Sequence, residues 1–79
     1  MDWKQNLHNY LKDELSDSMK YAELAKQTEG MEHQMFWDMA NEEYEHACAV
    51  WHMMKHEGMT HGMDKAATFQ LADIALKKR

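Results

Sequence analysis

Phe36-Trp37-Asp38-Met39-Ala40-Asn41-Glu42-Glu43-Tyr44-Glu45-His46-Ala47-Cys48-Ala49-Val50 is the stretch whose reading decides the fold. Phe36, Met39, Ala40, Ala47 and Val50, with Met54 beyond, recur at helical spacing. Each residue turns a helix by about 100°. With Glu43 set at zero, Phe36, Val50 and Met54 fall within about 20° of it, and Met39 and Ala47 within about 40°. An ionised carboxylate on an apolar face is costly unless it is paired or metal-bound. His46, three residues on, points the same way, offset by about 60°. Glu43-x-x-His46 is the only Glu-x-x-His in the chain. That spacing lets one carboxylate and one imidazole reach a single metal from a helix in a bundle core.

Outward from this helix, expected over about 31–57, the chain is punctuated by Gly30, Gly58 and Gly62. A first helix is expected over about 3–28, with Asp2 as N-cap and Gln5 three residues later, as in a capping box. Gly30 suits the left-handed position that closes a helix. A short third helix is expected over about 64–77, capped by Asp64, with Ala67, Leu71, Ile74 and Ala75 along one side. The tight connection at Gly30 makes the two long helices an antiparallel hairpin. The fold class is therefore all-α, a single domain over 1–79 formed by a hairpin and a small C-terminal helix.

Helix 1 repeats the anomaly of helix 2. Trp3, Leu7, Tyr21 and Ala25 fall within about 20° of Glu14, which puts this carboxylate at the middle of the expected apolar face. The midpoint between Glu14 and Glu43, and that between Glu14 and His46, both fall at the Gly30 turn. Folding there brings the three residues to one level. One hairpin then offers two carboxylates and one imidazole. A two-fold pair doubles this to the set found in di-iron carboxylate bundles.

Composition narrows the alternatives. A chain of 79 residues with one cysteine cannot use an internal disulfide, so metal or oligomerisation must supply the stability a small core lacks. The net charge is −5 and the only basic cluster is Lys77-Lys78-Arg79, which speaks against nucleic acid. No apolar run is long enough for a membrane span and no signal peptide is visible, so the cytoplasm is the default location.

Glu14 followed seven positions later by Tyr21, then Leu24-Ala25, then Phe36-x-x-Met39-Ala40-x-Glu42-Glu43-x-x-His46-Ala47, resembles the iron-binding hairpin of rubrerythrins and other ferritin-like proteins. The short chain is most similar to the encapsulated-ferritin type. The resemblance covers about residues 7 to 54. It implies a homodimer closing a ferritin-like four-helix bundle around a di-iron centre, with two iron ions per dimer. Glu14 would be a terminal ligand, Glu43 a bridging ligand and His46 the nitrogen ligand. Tyr21 would lie close by as a catalytic or redox group, and Asp13 and Asp17 would help draw metal in. Manganese and zinc suit the same donors. The implied function is a ferroxidase that oxidises Fe(II) for iron storage or detoxification. A rubrerythrin-like di-iron peroxidase and a non-enzymatic helical assembly or metal-binding module are the rival readings.

The resemblance also implies a ring of dimers and an encapsulin shell as partner, which would place the protein in a nanocompartment. Two features depart from the pattern. There is no pair of Cys-x-x-Cys motifs, and the Ala75-Leu76-Lys77-Lys78-Arg79 tail gives no clear match to a targeting peptide. Four further residue groups have blander readings. Trp37, Tyr44 and Trp51, every seven residues, would pack helix 3 and, where it cannot reach, join dimers. His52 and His56 form an i, i+4 pair read as solvent-exposed, Cys48 reads as a free thiol, and His8, His33 and His61 have no evident partners.

Overall fold

The computed structural model describes residues 2–78, and Arg79 of the basic cluster lies outside them. The chain is all-helical. A 3-10 turn (Trp3–Asn6) leads into α1 (Leu7–Lys26), followed by α2 (Gly30–His56) and α3 (Lys65–Ala75). Asp2 caps the opening turn, its carboxylate accepting from the Lys4 N–H at 3.1 Å. Lys4 in turn pairs with Glu57 at 3.0 Å, which ties the start of the chain to the far end of α2.

The hairpin turn is fastened by side chains that satisfy the last carbonyls of α1, which have no partners within the helix. The Thr28 hydroxyl donates to the carbonyls of Leu24 at 2.9 Å and Ala25 at 3.1 Å. The His33 ring donates from Nδ1 to Ala25 at 2.6 Å and sets its edge against Trp37, with centroids 6.3 Å apart. His33 thus has partners that its sequence position did not announce. Gly30 lies at φ +66°, where a Cβ is strained. It opens α2 after an extended Glu29, rather than closing α1, which ends at Lys26 with Gln27 as its C-cap. His33→Ala should lower stability by about 1–2 kcal/mol, since a hydrogen bond and an aromatic edge contact are lost together. An unchanged urea midpoint would show that His33 does not fasten the turn.

Asp64 caps α3, accepting from the Ala66 N–H at 3.0 Å. The face that α3 buries is not the expected one. Phe69, Ala72 and Leu76 point inward, while Leu71 and Ile74 are 69% and 66% exposed. The cause is the aromatic stripe on α2. Phe69 inserts edge-on between Tyr44 and Trp51, at centroid distances of 5.6 and 6.0 Å. A ring seated edge-on in an aromatic socket gains ring–ring contacts that neither Leu71 nor Ile74 could make in its place. Trp51 is consequently buried, and Tyr44 and Trp37 half-buried, so α3 covers more of the stripe than expected.

The Tyr44 hydroxyl donates to Asp73, and Lys78 lies over the Tyr44 ring at 4.8 Å. Burial, then this bond, push the Tyr44 hydroxyl above its usual range. α3 ends in a left-handed Lys77 at φ 58°, with the Lys78 N–H returning to Asp73 and the Lys77 N–H to Ile74. This is a Schellman closure built without glycine. It lets Leu76 pack against Ala22 and Ala40.

The molecule measures 42 × 28 × 14 Å. Its thin dimension is little more than one helix with its side chains, about 10–12 Å. Such a slab leaves a broad face bare, and Trp3, Tyr10, Met31, Met35, Met39 and Met53 lie exposed. No described helix is long and apolar enough to cross a membrane.

Candidate metal centre

On α1 the buried positions are Leu7, Leu11, Leu15, Ser18, Ala22 and Ala25. Glu14 borders this stripe instead of occupying its middle. The hairpin turns Leu11 and Leu15 into the core and leaves Trp3 and Tyr10, on the other side of Glu14, in the open. On α2 the corresponding open edge carries Met39, His46 and Met53 at intervals of seven, beside Glu43. The three chemistry-bearing residues therefore sit on the seam between the packed core and the bare face.

There they meet. His46 Nδ1 is 3.0 Å from Glu43 Oε1 and 3.4 Å from Glu14 Oε2. One donor atom from each of the three lies within 4.8 Å of the others. Among the described residues this is the one group of three or more metal-type side chains so gathered. Glu14 Oε2 is buried without a hydrogen-bond donor. The contact at 3.4 Å makes His46 a charge partner when protonated, but it does not satisfy that oxygen with a hydrogen bond. Burial raises the Glu14 carboxyl above its usual range, and Glu43 and Asp17 raise it further, while His46 opposes them. An orphaned buried oxygen beside a second carboxylate and an imidazole is what a divalent cation would relieve, and this oxygen and nitrogen donor set suits iron, manganese or zinc.

Tyr21 is half-buried about two turns further along α1. It stacks on Phe36 at 6.5 Å with ring planes 18° apart, and the Lys20 ammonium lies 5.4 Å from its ring centre. With Met39, Glu42 and Glu43 it lines a hollow of about 170 Å³ that opens beside the triad. Nothing in the sequence beyond the adjacency of Glu42 to Glu43 hints at this position. Asp17 pairs with Lys20 at 3.5 Å and reaches the triad only through its charge. Asp13 is exposed and supplies no atom to the cluster. His52 and His56 are likewise exposed and outside it, and Cys48 is a half-buried free thiol.

Residues 5–77 match the family model for rubrerythrin. The chain belongs to the rubrerythrin family. This places it in the ferritin-like superfamily, among proteins that typically hold two irons and have oxidoreductase character. No curated protein and no solved structure matches it. Within that family the chain has a specific shape: two long helices, one Glu-x-x-His on α2 and, gathered with it, one glutamate from α1. A di-iron bundle uses twice that number of helices and ligands.

Proposed function

We propose that two copies of this rubrerythrin-family chain pair through their bare faces and oxidise Fe(II) at a di-iron site shared between them. The observation that carries this reading is the buried Glu14 oxygen without a hydrogen-bond donor, held beside Glu43 and His46 on the edge of the uncovered face. A two-fold pairing would cover Trp3, Tyr10, Met39 and Met53 and set each triad against its copy.

Fe(II) is here the substrate. Glu14 would hold one iron from the side, Glu43 would span both, and neutral His46 would donate its ring nitrogen. Four carboxylates balance the charge of two Fe(II) ions. Each iron then gives up one electron. Dioxygen takes both electrons and two protons to become hydrogen peroxide, or peroxide takes them with two protons to become two waters. Oxidation leaves two positive charges that the four carboxylates do not balance, and Fe(III) would then pass on to storage or detoxification. Tyr21, which lines the hollow, would keep the site's edge narrow and supply a phenol close to the reacting metals.

Anaerobic Fe(II) titration followed by air, with sedimentation in parallel, tests this. About two irons should bind per pair of chains, and chelation should shift the protein towards monomer. About one dioxygen should then disappear per two irons, with Fe(III) becoming available to a chelator. Zinc, which has no redox chemistry, should compete for the site. A monomer that binds both irons, or a loaded dimer that consumes no dioxygen and no peroxide, defeats the proposal. Oxidation with both irons retained would point to the peroxidase reading instead.

A further inference from the structure

A second concavity lies far from the triad, roughly 130° around α1 from Glu14. It runs between α1 and α3 and measures about 510 Å³. Its floor and walls are Leu11, Leu15, Met19, Met63, Leu71 and Ala72. Small-molecule sites commonly measure about 300–1,000 Å³ and combine an apolar lining with a few polar groups. This groove has both. Leu11, Leu15 and Ala72 are buried core residues that form its rigid base, and Met19 and Met63 are adaptable side chains that can shape themselves to an apolar guest.

The polar rim decides what kind of guest. The chain has 14 acidic residues and a net charge of −5, yet no Asp or Glu lines this groove. Lys12 and His8 do. Both are exposed, and neither forms an ion pair among the described residues. Ser16 adds a hydroxyl beside them. An ammonium without a counter-ion at the mouth of an apolar trough complements an anionic head on an apolar body.

We propose that the α1–α3 groove binds a soluble amphiphilic carboxylate, its hydrocarbon chain along Leu11, Leu15, Met19 and Met63 and its head at Lys12. Leu71, 69% exposed on the outer side, becomes the flap that the chain slides beneath. A cationic amphiphile finds no acid there, and a neutral one forgoes the Lys12 contact.

Sodium decanoate, added below its micelle concentration to the full-length protein, is the probe. Methionine-methyl NMR is the readout, because Met19 and Met63 lie in the groove and Met31, Met35 and Met53 lie on the other face. The Met19 and Met63 methyls should shift and saturate while the others stay. Decanol should bind about tenfold more weakly, having lost one charge-assisted contact, and decanoate should bind Lys12→Glu at least about tenfold more weakly, because a repelling carboxylate replaces the ammonium. Lys55→Glu should change neither. Ser16→Trp, which fills the trough from an exposed position, should abolish the response. Equal affinity for decanol and decanoate, or no effect of Lys12→Glu, overturns the proposal. So do shifts at Met19 and Met63 that follow protein concentration without ligand, which would mean that another copy of the chain fills the groove. A response to anionic vesicles but not to free decanoate overturns it in favour of a lipid surface.

Discussion

Glu14→Gln is expected to abolish iron oxidation and, in the same molecule, to stabilise the metal-free fold. The two effects share one cause. Burial, with the charges of Glu43 and Asp17, holds the Glu14 carboxyl above its ordinary value of 4.5. In the unfolded chain the same group ionises at lower pH. A raised folded-state value means that stability is full below the ordinary carboxylate range and is lost as pH rises through the folded value. Above that value the metal-free protein carries a charged oxygen that no hydrogen-bond donor satisfies. Glutamine removes the charge at nearly constant shape and should recover about 1 kcal/mol in chelator at about pH 7, with the difference closing towards about pH 4. Adding Fe(II) should invert the order, because only the wild type gains the free energy of binding. Oxidation should fall by at least about 100-fold, as loss of a ligand exceeds the 10–100-fold typical of losing a supporting group. Denaturant midpoints at both pH values, with and without Fe(II), decide the matter. A Gln variant less stable than wild type in chelator at neutral pH would mean that Glu14 is an ordinary structural residue.

Phe69→Ala should be the most damaging change outside the metal centre. Phe69 is 2% exposed and is the ring through which α3 grips α2. Truncation of a buried phenylalanine costs about 3–5 kcal/mol. A domain of this length has roughly 4–12 kcal/mol in total. The melting temperature should drop by more than about 12 °C, and Trp51 fluorescence should shift to the red as its cover loosens. Leu71→Ala, two positions away, should stay within about 0.5 kcal/mol of wild type because that side chain is exposed. Comparable losses for the two variants would mean that α3 is rotated relative to its position here.

The contrast between those two residues shows where sequence reasoning stops. The hairpin and the convergence of Glu14, Glu43 and His46 follow from spacing alone, because helical rotation and the position of the turn are local properties. The orientation of α3 does not. Its apolar residues occupy both sides, and periodicity favoured the side with Leu71 and Ile74. The aromatic socket of Tyr44 and Trp51, distant in sequence, selected Phe69 instead. Glu14 shows the same gap on a finer scale. Its helix is broadly apolar, but which part of that arc a single chain can cover depends on where α2 and α3 come to rest. His33 was opaque for a related reason: its partner is a carbonyl eight residues back, which no pattern of side chains announces.

The turn between α1 and α2 has one more consequence. Surface connections usually absorb insertions and deletions freely. This one sets the register of two opposed ligand-bearing helices, since Glu14 stands on one arm and Glu43 and His46 on the other. If one added residue were taken up by α2, that helix would advance by about 1.5 Å and turn by about 100°. Glu43 and His46 would swing off the seam, with every ligand still present and the helices still formed. The geometry of the site is thus specified by a length, the count of residues from Lys26 to Gly30, as much as by the identity of any side chain.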